Sequence, residues 1–266
     1  MHAPPLLRAY VALLILFLLS PIVISMSLAF SESSRLAFPP EGFSFRWFET
    51  AYSNPFFLPA LGLSLVIGMT ASVLAAVGGT MAAIAINHFR FKGRILIQVL
   101  VLLPLTLPAI VIGLGVLFTA PAYGMRTGTL LTTLAHAVIC MPYVAYLVLA
   151  TLANYDLTLE QASINLGASR WRTFWEITFP LIRPGVIAGA VFAFLISFDN
   201  VSLSLFTARG DTLPLRLMQH IQFQADPTVA AISIVLVVSS VVILVFFGRL
   251  LRQRQLSSLE GAAQQP

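Results

Sequence analysis

Asp199 is the one carboxylate set well inside an apolar run, in the segment FLISFDNVSLSLF, with Ser197, Asn200 and Ser202 beside it and Phe194 and Phe198 ahead of it. A carboxylate at the centre of a membrane helix costs about 2.5–3.5 kcal/mol on insertion scales, so it normally faces a partner group or a water-filled cavity. Two readings of Asp199 stay open. Facing a pathway, it offers a negative site to a cationic solute, flanked by Ser197, Asn200 and Ser202. Phe194 and Phe198 then add cation–π attraction of about 0.5–2 kcal/mol if they share that face. Facing a neighbouring helix, it pairs with a polar group there and holds a bundle together.

The remaining reactive side chains form no catalytic constellation. His2, His88, His136 and His220 make no H-E-x-x-H and have no partner at metal-ligand spacing, and no G-x-S-x-G is present. The one lysine, Lys92, follows Phe91, so there is no glycine-lysine pair to cradle a phosphate chain. Cys140, the single cysteine, lies in an apolar run and admits neither an internal disulfide nor a thiolate metal site. His136, alone on a membrane helix, reads as a hydrogen-bonded packing residue. The expectation is a chain that is not an enzyme and holds no metal or cofactor, with energy supplied by a partner or by an ion gradient.

The elements that carry these residues are membrane spans. The chain has 266 residues, 58% hydrophobic and 9% charged, against about a quarter charged in soluble domains. A spanning helix needs roughly 20 mostly apolar residues. Six stretches qualify, at about 8–30, 60–86, 95–119, 129–152, 184–207 and 227–249, leaving no room for a separate soluble domain, so 1–266 reads as a single all-α transmembrane domain. The run from Tyr10 to Phe30 is long enough to span, which favours a retained helix over a leader cleaved after its small residues.

The cations sort by side. Arg8, Arg90, Lys92, Arg94, Arg170, Arg172, Arg183, Arg249, Arg252 and Arg254 share one side; Arg35, Arg46, Arg126, Arg209 and Arg216 lie on the other. The richer side is cytoplasmic, which places both termini and the segment 153–183 there. The net charge of +5 is thus a topology signal, and nucleic acid is not an expected partner.

Within the spans, proline and glycine give local expectations. Pro104 and Pro108, followed by Gly113 and Gly115, predict a kinked third span. Gly78 and Gly79 predict close helix packing, as does the G-x-x-x-G of Gly185 and Gly189. Span five is expected to open at Pro184, and span six at Asp226-Pro227 with Asp226 as its N-cap. The segment FSFRWFETAY, with Phe45, Trp47, Phe48 and Tyr52, reads either as an interface-lying amphipathic helix or as an aromatic belt anchor.

The segment EQASINLGASRWRTFWEITFP, residues 160–180, is polar between two apolar spans, so it is built to meet something soluble. Asn154–Asn165 reads as a short helix using Leu157, Leu159, Ala162 and Leu166, ended by Gly167. Ser169–Phe179 reads as a second helix, ended by Pro180 and Pro184.

Its spacing resembles the EAA signature of bacterial binding-protein-dependent ABC importer permeases, falling on Gln161-Ala162-Ser163, then Gly167, then Ile177, Phe179 and Pro180. Three positions depart from that pattern: Gln161 replaces the motif glutamate, though Glu160 stands beside it; Ser163 replaces an alanine and Phe179 a leucine. The segment FLISFDNVSLSLFTARGDTLPLRL is similar to the fifth-span region of the spermidine/putrescine-type permeases, and FSFRWFETAYSNPFFLPALGLSLVIG to their first outside loop.

The resemblance implies a type I importer permease of the bacterial inner membrane, carrying a polyamine or other small cationic or polar solute inward. It implies four kinds of partner: two cytosolic ATPase subunits that bind the ATP, a second and distinct permease, a periplasmic or extracellular binding protein, and the bilayer. Carried over by position, Glu160, Gln161, Ala162, Ser163, Gly167 and Ala168 dock on the ATPase. Ile177, Phe179 and Pro180 anchor the loop against the bundle. The alternative, a gradient-driven carrier or channel coupled through Asp199, has no use for a docking loop.

Overall fold

The computed structural model describes residues 4–153, 156 and 158–241. Asn154, Leu157, Arg249, Arg252, Arg254 and the end of the expected sixth span lie outside the described residues. The chain forms α1 (Pro5–Ala29), α2 (Arg46–Ser53), α3 (Phe57–His88), α4 (Arg94–Leu102), α5 (Ala109–Thr119), α6 (Thr129–Leu152) and α7 (Thr158–Asn165). Then follow α8 (Arg170–Thr173), α9 (Phe179–Phe198), α10 (Val201–Thr207) and α11 (Leu213–Phe223), with α12 over Thr228–Val241. No strand occurs among the described residues.

Two compact units are distinguished, Phe56–Met218 and the flanking segments Met1–Pro55 with Gln219–Pro266. In the first, α3, α6 and α9 pack together around Ala75, Ala83, Cys140, Val144, Val148, Ile182 and Ala193. Lipid gives helices no hydrophobic reason to associate, so close backbone approach must supply the attraction. The glycines provide it. A Cβ on Gly79 would lie 2.7 Å from the Met141 carbonyl oxygen, one on Gly189 2.9 Å from Val144 Cα, and one on Gly185 2.9 Å from the Leu147 carbonyl oxygen. All three contacts fall on α6 and are the close packing that the small-residue pattern predicts.

The expected third span departs most from its sequence reading. It is not one kinked helix: α4 with its short 3-10 extension and α5 with its own meet at 105°. Pro104 and Pro108 each withdraw an N–H, and Pro108 forces Leu107 out of the helical region, so the chain turns a corner. Span five departs in both directions. Pro180 and Pro184 do not end a helix, because Arg170–Phe198 is one continuous helical run of 29 residues. A π-turn over Phe174–Thr178, in which the Phe179 N–H bonds to the Phe174 carbonyl, takes up the register before Pro180. At its far end the expected span 184–207 breaks after Phe198 and resumes at Val201.

The second unit is built on aromatic packing. Phe30 lies 5.3 Å from Phe43, 5.5 Å from Phe45 and 5.3 Å from Phe48, centroid to centroid. The Trp47 indole N–H donates to the Ser31 carbonyl at 2.7 Å, and Trp47 is buried with Ala29 and Ala231. The aromatic segment therefore closes the loop after α1 on itself, while Tyr52 remains exposed. Asp226 caps α12, accepting the Thr228 N–H at 2.9 Å and lying 3.0 Å from His220 Nε2.

Among the described residues, four helices are long and apolar enough to cross a bilayer: α1, α3, α6 and Arg170–Phe198; the bent α4–α5 pair makes a fifth candidate. The most apolar window of α1 carries no buried residue.

The glycine contacts give a direct test. Gly79→Val should destabilise the folded protein in detergent by about 1–3 kcal/mol or more, read as a lower melting temperature. Gly115→Ala, where an added Cβ meets nothing within 4 Å, should leave that temperature unchanged.

Candidate coupling loop and the break after α9

The α7–α8 loop is defined by its caps. Asp156 Oδ1 accepts the Thr158 N–H at 2.9 Å; that bond, with the Thr158 hydroxyl, holds the Asp156 carboxyl below the usual carboxylate range. At the other end the Ala168 N–H reaches the Ser163 carbonyl at 3.1 Å and the Gly167 N–H reaches that of Ile164 at 2.9 Å. This double closure is the Schellman arrangement, which needs a left-handed residue, and Gly167 has φ +89°. Ser169 then caps α8, its hydroxyl accepting the Arg172 N–H at 3.3 Å. Two short helices result, joined by a turn that only glycine adopts without strain.

Glu160 turns inward. Its Oε1 lies 3.0 Å from His88 Nε2 at the last residue of α3 and accepts a hydrogen bond from the Thr178 hydroxyl. Thr178 is buried. Ser163 also points inward, its hydroxyl 3.0 Å from that of buried Thr173. These bonds tie α7 to α3 and to the π-turn, so two of the six residues expected to dock are engaged within the chain. Gln161, Ala162 and Gly167 are exposed and Ala168 is half-buried. The exposed tip also carries apolar side chains: Leu166 is 89% exposed, with Leu159 and Ile164 beside it on α7. Leu166, one of the apolar positions the sequence gives this short helix, thus faces outward.

Of the three expected anchors, Ile177 and Phe179 are half-buried and Pro180 is exposed in the first turn of α9. Phe179 joins an aromatic ladder, 5.0 Å from Trp175 and 6.1 Å from Phe174, with Trp171 beyond. Thr178, within the same motif but not singled out by it, is buried and bonds to Glu160. Arg172 and Glu176 pair at 2.8 Å on the exposed face.

Asp199 does not sit at a helix centre. It is the C-cap of α9 and exposed, and Asn200 is the N-cap of α10, its Oδ1 accepting the Leu203 N–H at 2.9 Å. The insertion cost argued for a mid-helix carboxylate therefore does not apply in that form. Ser197 is buried and lies 2.8 Å from His136 Nδ1, while His136 Nε2 lies 3.2 Å from the Ser204 hydroxyl. One imidazole, itself buried, thus fastens both sides of the break to α6. Phe194 and Phe198 stack at 5.6 Å, and Phe194 packs against Gly68 of α3. Asp199 and Ser202 are the polar groups of the set that remain exposed. His88, Thr178 and Ser204 escaped the sequence reading because their partners lie 72, 18 and 68 residues away.

The family model described as "Binding-protein-dependent transport system inner membrane component" matches residues 75–256, covering the loop, the break, α6, α9 and the C-terminal part of α3. The chain belongs to this family. It is 31% identical over 226 residues to the Escherichia coli (strain K12) putrescine transport system permease protein PotI, covering 82% of this chain and 80% of that one. To the Haemophilus influenzae spermidine/putrescine transport system permease protein PotC it is 29% identical over 240 residues, covering 90% and 93%. In fold it is similar to a chain of a bacterial ABC transporter involved in the import of the acidic polysaccharide alginate. There the TM-score is 0.70 at 14% identity, covering 92% of this chain and 94% of that one. The chain is therefore an inner-membrane permease component of a binding-protein-dependent ABC importer and not an enzyme. A self-contained gradient-driven carrier is set aside.

The inward bonds of Glu160 make a specific forecast for this family member. Glu160→Ala removes an acceptor that charge-assisted bonding makes worth about 1.5–3 kcal/mol. Amides of α7 should exchange with deuterium on the order of tenfold faster or more, with α6 unchanged. Unaltered exchange in α7 would show that the bonds do not hold it.

Proposed function

We propose that this chain is one of two distinct permeases that together form the pathway of a polyamine importer, driven by two cytosolic ATPases and fed by a separate binding protein. The reading gives the chain six spans in a single domain, 1–266, with both termini cytoplasmic and the 157–180 loop seated on an ATPase. The observation that carries it is the continuous helix Arg170–Phe198. At 1.5 Å per residue it is about 43 Å long, with the exposed loop at one end and Asp199 at the other.

Closure of the ATPases would move the α7–α8 tip. Glu160 and Ser163 make α7 move with the helix rather than swing on its own, and Gln161, Ala162, Gly167, Ala168 and the apolar Leu166 form the seat. Ile177, Phe179 and Pro180 lie where the lever meets the bundle. The displacement then arrives at a helix break, where backbone groups are already free of the ladder and a modest change can open or close a path. Asp199 and Ser202 would face the solute there. Asn200 and Ser197 would shape the break, and Phe194 and Phe198 would form its apolar wall.

A polyamine suits this arrangement on two grounds. PotI and PotC are named for putrescine and spermidine/putrescine transport, and an exposed carboxylate attracts a cation. Relatives also include a molybdenum transport permease, ModB of Haemophilus influenzae, so family membership alone does not select the solute.

Two experiments test the reading. Tagged protein isolated in mild detergent should bring down an ATPase, and Ala162→Glu with Gly167→Arg should abolish its recovery; an ATPase still bound to the double variant places docking elsewhere. In proteoliposomes holding the whole importer, Asp199→Asn should lower putrescine uptake at least about tenfold while ATPase recovery stays normal. Loss of the assembled complex instead would assign Asp199 to subunit contact.

A further inference from the structure

The loop between α3 and α4 has a chemistry that neither transport nor coupling uses. Arg90, Lys92, Arg94 and Gln98 line an open cavity of about 740 Å³, together with Phe91, Gly93 and Ile95. A second groove of about 360 Å³ runs along α4, lined by Ile95, Gln98, Val99, Leu102, Leu103 and Thr106. Ile95 and Gln98 line both, so the two adjoin. One end is cationic and the other apolar.

The cationic end has no carboxylate paired with it among the described residues. No Asp or Glu occurs in the sequence from Thr50 to Tyr155, and among the described residues Arg90, Lys92 and Arg94 enter no ion pair. The apolar end is equally unpartnered: α4 buries no residue, and Ile95, Val99 and Leu103 are 77%, 53% and 42% exposed. The 105° corner at Pro104–Pro108 produces this, because it swings α4 away from the direction of α5. The loop lies at the same end of the bundle as α7, since His88 at the end of α3 bonds to Glu160. A polybasic rim over a greasy groove matches a molecule with a phosphate head and a hydrocarbon tail.

We propose that this cavity and groove bind one anionic phospholipid, with Arg90, Lys92 and Arg94 on the phosphate, Gln98 at the glycerol level, and an acyl chain along Ile95, Val99 and Leu103. Lipid-facing cations of this kind are each worth a sizeable share of headgroup attraction, and the groove adds the apolar area that a free anion cannot use.

The test uses the full chain in detergent, with its melting temperature followed as dioleoyl-phosphatidylglycerol or dioleoyl-phosphatidylcholine is added at fixed ionic strength. Phosphatidylglycerol should raise the midpoint more than phosphatidylcholine does. The R90Q/K92Q/R94Q variant should lose that difference, while R8Q/R126Q/R183Q, with the same loss of three charges elsewhere, should keep it. Native mass spectrometry should show about tenfold or more weaker retention of phosphatidylglycerol in the first variant. Val99→Asn, which leaves the cations intact, should also weaken retention and serves if the triple variant does not fold. Equal effects of the two lipids, equal loss in the control variant, or a shift reproduced by inorganic phosphate alone would overturn the assignment.

Discussion

Backbone contact between α6 and the glycines of α3 and α9 is the constraint on which the other arrangements rest. With Met141, Val144 and Leu147 of α6 within 3 Å of where a Cβ would stand on Gly79, Gly189 and Gly185, the three helices are held at backbone distance. That spacing brings His136 of α6 to Ser197 of α9 at 2.8 Å. It also brings the end of α3 close to the loop between α6 and α9, so that His88 meets Glu160. Widening any of the three contacts would separate donors from acceptors that no water inside a bilayer could replace.

Three proline- or polar-rich places in this scaffold meet different fates. At Pro104 and Pro108 the chain turns by 105°. At Pro180 it continues, because the π-turn before it re-registers the helix while Thr173 and Thr178 are buried against neighbours. At Asp199–Asn200 it stops and restarts, with side chains replacing the lost backbone partners: Asn200 caps the new helix and His136 fastens both sides. A continuous helix therefore runs from the candidate coupling loop to a joint pinned by side chains. The joint lies beside the exposed carboxylate.

Polar groups divide accordingly between those that hold the fold and those left available. Glu160, Ser163, Ser197 and Asn200 are spent on internal bonds. Gln161, Asp199 and Ser202 are not buried by the chain, and neither are the apolar Ala162 and Leu166. Position in a motif did not separate these groups: adjacent Glu160 and Gln161 project about 100° apart around the helix axis, and that step leaves one bonded inward and the other exposed.

The sequence alone determined the class of protein, its helical make-up, the existence of a capped polar loop at 160–180 and the family that loop belongs to. Each rests on local information: span length on hydropathy, the loop's end on Gly167, the start of α12 on Asp226, and close packing on glycine spacing. What the tertiary structure decided are the long-range pairings and the fate of each proline. Pro184 looks the same in sequence whether it opens a helix or rides inside one, and the choice depends on whether neighbours satisfy the carbonyl that it frees. Likewise Glu160 looks like a docking carboxylate until α3 delivers His88 from 72 residues away. Such contacts depend on how three helices pack, and no local pattern of residue types encodes that.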